Sequence, residues 1–319
     1  CYLAIRFKWN QDAFTGVPKV QAKIQGKKVV AYTEGTVATT TLSANITATQ
    51  DYIPVASTTN FSTSVVAEIE STNEVVSFTD ISKNNYIRSE EFNLSWTTSN
   101  PTVNANSTAD PNGDITADAL LENAGSGKKT LYQLTNLVSG TQYTMSVFAK
   151  TNGRHLQLQP AAGIAGATNF ANFNLTTGTL GTVGAAADNA TIKDYGNGWF
   201  RCSITMTSTV TSLTAIGILL IKNDTDARGY AYSGDGTSGI FIWGAQIEEA
   251  SSPSLYLPTT SSALVGLTGV TRGVNGTTAQ AASSGQTVLQ ESLSAQTAAY
   301  STNPAWCLLD YLTNERYGK

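Results

Sequence analysis

Three stretches of the chain alternate between apolar and polar positions. Tyr143, Met145 and Val147 alternate with Thr144 and Ser146; Phe200, Cys202, Ile204 and Met206 alternate with Arg201, Ser203 and Thr205. In the third, Phe241, Trp243, Ala245 and Ile247 alternate with Ile242, Gly244, Gln246 and Glu248. A period of two sends successive side chains to opposite faces, so each stretch predicts a strand with one core face, and together they predict two stacked sheets. By this parity Tyr143 and Trp243 are packing residues. Ile216 to Ile221 is apolar on both parities and reads as a central strand. In His155 to Gln159, Leu156 and Leu158 take one face and leave His155, Gln157 and Gln159 as a polar strip on the other.

Outside this centre the pattern is nested. Tyr2 to Asn10 alternates as a strand and Lys19 to Val30 gives a second, with Gly26 as a bulge or bend. At the far end Asn303 caps a predicted helix with Pro304 at its first position and Leu308, Leu309 and Leu312 as its apolar stripe. Between these ends and the centre lie short β-branched runs such as Tyr52 to Val55 and Glu74 to Phe78, and an Asn275-Gly276 pair that predicts a two-residue hairpin turn. The expected division is 1–34 and 299–319 for an outer domain, 35–85 and 261–298 for a small β-module, and 86–260 for the inserted sandwich.

Composition agrees with strands joined by polar turns: of 319 residues 46 are Thr and 27 are Gly, while only 13% are charged. The net charge of −4 and the lack of any Lys/Arg run argue against nucleic acid as a partner, since phosphate must be neutralised. No apolar run approaches the roughly 20 residues of a membrane helix. The sequence opens on Cys1 without an initiator Met or a leader pattern, which reads as a piece of a longer chain. Cys1, Cys202 and Cys307 fit neither a paired framework nor a zinc spacing and are expected to be free, mostly buried thiols.

Three resemblances follow from longer motifs. GVPKVQAKIQGKKV (Gly16 to Val29) and NPAWCLLDYLTNERYG (Asn303 to Gly318) resemble the two halves of the hub domain in tail-tip proteins of the phage lambda host-specificity family. Five ordered blocks, beginning NYIRSEEFNLSW at Asn85 and closing GIFIWGAQIEEASSPSLYLPTT at Gly239, resemble the carbohydrate-binding-module-like jelly rolls of phage head spikes, tail fibres and some glycoside hydrolases. GLTGVTRGVNGTTAQAASSGQTV (Gly266 to Val288) is similar to a small β-module of phage tail proteins. The fold class expected is therefore mainly β: a jelly-roll β-sandwich inserted in a small β-module, itself inserted in an α+β tail-hub domain. The resemblance also implies a homotrimer at the virion's tail tip, contacts with other tail proteins and a host-surface glycan as ligand.

Catalytic signals are sparse. His155 is the one histidine, and no Gly-x-Ser-x-Gly elbow, His-Glu-x-x-His run or P-loop occurs. Glu90-Glu91 and Glu248-Glu249 are sequence neighbours, so neither pair can flank a glycosidic bond, although distant carboxylates can converge in a fold. The chain reads as a non-enzyme. Sugars are held by aromatic faces and planar polar side chains, which points to His155, Gln157, Gln159, Arg201, Tyr230 and Tyr232. Jelly rolls of the resembled class often carry calcium, an oxygen-seeking ion for which Glu90, Asp110, Asp114 and Glu248 are the candidate ligands. The rivals to a structural virion protein are a stand-alone carbohydrate-binding module and an accessory domain of a glycoside hydrolase.

Overall fold

The computed structural model describes residues 29–33, 37–63, 66–291 and 294–299. These fall into two compact units, one spanning residues 39–289 and one containing Val29–Thr33, which pairs antiparallel with Ser294–Ala299. The motifs Gly16 to Val29 and Asn303 to Gly318, with the expected hub domain and its helix, lie outside the described residues apart from Val29, as do Cys1 and Cys307. Nearly every other element is a strand; one short helix, Ala162–Ala165, is described.

The centre is a sandwich of two six-stranded sheets. The first has the order Thr179–Val183, Ala171–Asn174, His155–Pro160, Ser212–Ile221, Lys129–Leu137, Thr97–Ser99. The second has the order Asn189–Gly196, Trp199–Thr207, Gln142–Asn152, Gly239–Glu248, Ala117–Glu122, Pro101–Thr108. Leu131, Leu156, Leu158, Ile216, Ile218 and Leu220 from the first meet Tyr143, Met145, Val147, Cys202, Ile204, Ile240 and Ile247 from the second in one core. Each such aliphatic side chain, fully buried, contributes about 1.5–3 kcal/mol. Strand parity read from the sequence holds for Tyr143, Phe200 and Cys202, and the Ile216–Ile221 run is central, flanked by strands on both sides. Burial pushes the Cys202 thiol well above its ordinary range, so it stays protonated and packs as a small hydrophobe.

Parity fails for Trp243 and Phe241. Along the Gln142–Asn152 strand, Ser146 lies opposite Gln246 but Phe148 lies opposite Trp243, so Val147 faces two residues, Gly244 and Ala245. This is a β-bulge, and Gly244 takes a positive φ of 59° within it. The bulge resets the alternation: Ile240 and Ile242 face the core before it, and Ala245 and Ile247 face it afterwards. Trp243 therefore packs on the outer face of the second sheet with Phe148, Trp199 and Ala117. Trp96 packs in the main core against Tyr86 and Phe92.

A second hydrophobic cluster gathers Leu42, Ile53, Val55, Ile69, Val76 and Phe78 with Leu267 and Val288, from both sides of the sandwich in sequence. The Asn275-Gly276 turn has positive φ at both positions, 55° and 80°, as a type I′ turn needs, yet no strand ladder flanks it. The neighbouring Arg272 decides the local structure. It grips the buried Glu74 through two hydrogen bonds of 2.7 Å and the carbonyls of Thr47 and Gln280 through two more. The passage into the sandwich is equally fixed. Buried Asn84 donates to the carbonyls of Ala245 and Leu257 at 3.0 Å each and accepts the Tyr86 amide at 3.1 Å.

Candidate functional site

The outer face of the first sheet is built by alternation against the core. With Leu156 and Leu158 fully buried inward, His155, Gln157 and Gln159 are directed outward. Register then sets their neighbours: Gln157 stands beside Asn172 and Leu219, and Gln159 beside Gly217, which is itself opposite Tyr132. The row Gln159, Gly217, Tyr132 thus has two half-buried planar side chains with a residue lacking any side chain between them. A Cβ at Gly217 would lie 3.0 Å from Leu219 Cδ1 and 3.2 Å from Thr130 Cγ2, so glycine keeps this floor low.

One end of the strip is roofed. Residues 222–231 fold over it, and Gln157 becomes wholly buried: its Nε2 donates to Asn172 Oδ1 at 2.7 Å and to the Ala227 carbonyl at 3.2 Å, while its Oε1 accepts the Gly229 amide at 2.6 Å. Asn172 completes the clasp by donating to the carbonyls of Asp224 and Asp226. His155 lies half-buried beside this loop, its Nδ1 accepting the Leu175 amide at 3.2 Å. Burial lowers its pKa against the opposing pull of Asp224 and Asp226, so the ring is neutral at physiological pH.

At Gln159 the face is only half-covered. Gln159 Oε1 is sealed from bulk water yet has no hydrogen-bond partner. Gly229 has φ 60°, and a Cβ there would lie 3.0 Å from both Gln159 Oε1 and Lys128 Nζ, which places those two groups beside the same backbone point. Lys128 is exposed and its ammonium has no partner among the described residues. Tyr230, 41% exposed, follows directly, its ring lying nearly parallel to that of Tyr232 at 6.1 Å and 17°. Tyr232 is the anchor of this pair. Its hydroxyl donates to Glu122 at 2.6 Å, and Glu122 also receives two hydrogen bonds from Arg154 and the Asp235 amide. Lys129, Arg154 and Lys222 surround the Tyr232 ring at 5.1–6.0 Å.

The six residues singled out for sugar contact are therefore not one surface. Tyr230 is open, His155 and Gln159 are half-buried beside the loop, and Gln157 and Tyr232 are structural supports beneath them. Arg201 is on the other sheet, where its guanidinium donates to Ser254 O at 2.6 Å and Ser146 Oγ at 3.0 Å and lies over the Phe148 ring. Tyr132, Lys128 and Gly217 complete the open patch and were not singled out in the sequence. Tyr132 was legible in principle, since it alternates with the inward Leu131; Gly217 sits in an apolar run that hides its role.

The four carboxylates considered for calcium are also separated in their duties. Asp110 uses Oδ1 to accept the amides of Asn112, Gly113 and Asp114 and Oδ2 to accept the Thr116 hydroxyl, which makes it the keystone of a turn. Glu248 is held by Gln246 and by the Ser254 amide and hydroxyl, and Glu90 accepts Tyr256 Oη–H at 3.1 Å. Among the described residues no group of three or more His, Cys, Asp or Glu is arranged to hold a metal ion.

No family model matches the chain, and no curated protein matches it. Several solved structures are distantly similar, two of them carbohydrate-binding modules. TmCBM61, determined in complex with β-1,4-galactotriose, aligns at 15% identity with a TM-score of 0.32, over 53% of this chain and 100% of its own. TmCBM27, a carbohydrate-binding module described for specific mannan recognition, aligns at 13% identity with a TM-score of 0.24, over 55% of this chain and 99% of its own.

Proposed function

We propose that the sandwich is a non-catalytic glycan-binding module and that the chain is part of a phage tail-tip protein presenting it to the host surface. The observation that carries the glycan reading is the patch at Gln159. Gln159, whose buried Oε1 has no partner, and the Lys128 ammonium both lie beside Gly229, next to the solvent-open Tyr230 ring in sequence, and Gln159 shares a row with Tyr132 across Gly217. Sugar rings stack their C–H faces on such rings and satisfy such polar groups with hydroxyls. The roof over Gln157 and the Tyr232–Glu122–Arg154 anchor supply the rigidity that limits ordering cost on binding.

The non-catalytic reading is supported by His155, the one histidine, whose Nδ1 is engaged by a backbone amide. The tail setting is supported by the two flanking motifs and by the pairing of Val29–Thr33 with Ser294–Ala299, which brings together the segments that lead to them. A homotrimer on the tail axis and contacts with other tail proteins belong to the same proposal. Incubating the full chain on an array of bacterial and plant glycans tests the first part; retention on a defined subset is expected, and a blank array would remove it. Immunogold labelling of virions tests the second, with label at the tail tip expected and label on heads or none contradicting it.

A further inference from the structure

A cleft of about 520 Å³ opens where residues 44–54 and 264 meet the sandwich, and it shares no lining residue with the Gln159 patch. Its volume is within the roughly 300–1,000 Å³ of small-ligand sites. We infer that this cleft is a second binding site, and that it takes a neutral saccharide.

The chemistry of the walls narrows the ligand class. Tyr52 contributes a half-buried ring whose hydroxyl has no partner among the described residues, and the side-chain amides of Asn93 and Asn106 are likewise unengaged. Arg88 gives one N–H to Glu91 at 2.8 Å and keeps its other donors, and Glu90 accepts Tyr256 on Oε1 and keeps Oε2. Leu94, 42% exposed, and Pro258 add apolar surface. An anion would meet the carboxylates of Glu90 and Glu91, which repel it. A metal ion has no set of three acidic or imidazole ligands to hold it among the described residues, and Arg88 faces the same space. Hydroxyls suit what remains, because each can donate to an amide or carboxyl oxygen and accept from Tyr52, Arg88 or an amide N–H. Burial raises the pKa of Glu90, with Asp110 and Glu91 adding to it, and burial also raises that of Asp118.

The test compares three full-length proteins on neutral galacto- and manno-oligosaccharides and matched uronic-acid oligomers: the native chain, Tyr52→Phe with Asn93→Ala in the cleft, and Tyr132→Ala with Gln159→Ala on the sheet face. The cleft changes remove groups without partners, so the fold is retained, which a melting curve checks. At least one neutral glycan is expected to bind the cleft variant about tenfold more weakly while the face variant keeps it, the loss expected for two hydrogen bonds. Unchanged affinity of the cleft variant for every neutral glycan overturns the inference and leaves the sheet-face reading standing. Binding of acidic oligomers alone does the same, whereas no binding of any glycan to the native chain removes both.

Discussion

The Gly229 amide donates to Gln157 Oε1 at 2.6 Å, and through that bond a side chain on a central strand decides where residues 222–231 lie. The same amide group of Gln157 reaches Asn172 and Ala227, so its loss would leave several buried polar groups unpaired. Gln157→Leu is expected to destabilise the protein by about 1–3 kcal/mol, the cost of leaving buried groups unsatisfied. Amide hydrogen exchange at Gly229 and Tyr230 should accelerate in the variant. Unchanged exchange there would show that the loop is held by something other than Gln157.

Much of the fold was legible because alternation is a local property. Leu156 and Leu158 point inward, Tyr143 and Cys202 are core, and the Ile216–Ile221 strand is central, all as their spacing requires. Trp243 was not legible: one positive-φ glycine shifts the register, and a sequence pattern cannot distinguish a bulge from an uninterrupted strand. The site was half legible for a different reason. Parity correctly put Gln157 and Gln159 on one outward face, but whether an outward face meets water depends on a loop more than sixty residues away in sequence, and that loop buries Gln157 wholly and Gln159 in part. Arg201 was likewise outward, but on the opposite sheet.

Gly244 offers a direct check on the bulge. A Cβ there would lie 2.9 Å from Phe148 Cδ2 and 3.2 Å from Tyr256 Cζ, on a backbone of φ 59°. Gly244→Ala should lower the melting temperature clearly more than Gly113→Ala, where φ is also positive but nothing lies within 4 Å. Left-handed backbone alone costs roughly 1–2 kcal/mol, so equal effects of the two substitutions would mean that the Phe148 contact is absent.

The Glu74–Arg272 pair predicts acid sensitivity of the cluster around Leu42 and Val288. Burial pushes the Glu74 carboxyl up, but hydrogen bonds from Arg272 and from the amides of Gln280 and Gly273 outweigh it and hold the pKa below the ordinary value near 4.5. A carboxyl with a depressed folded pKa stabilises fully above its unfolded value and loses that contribution as pH falls through the folded one. Stability should therefore stay level from neutral pH down to about 5 and then decline, and Glu74→Gln should flatten the decline. Arg272→Ala, which strands a buried carboxylate, is expected to cost about 3–5 kcal/mol. A decline of equal steepness in Glu74→Gln would assign the acid sensitivity to other carboxyls.

The most direct test of the glycan-binding account is calorimetric titration of the strongest array glycan whose binding the Tyr52→Phe, Asn93→Ala variant leaves unchanged into the native chain and into the Tyr132→Ala, Gln159→Ala variant. Binding to the native protein and its loss in the variant, with the melting temperature unchanged, is the predicted result. Full affinity retained in the variant would contradict the assignment of the sheet face around Gln159 as the site.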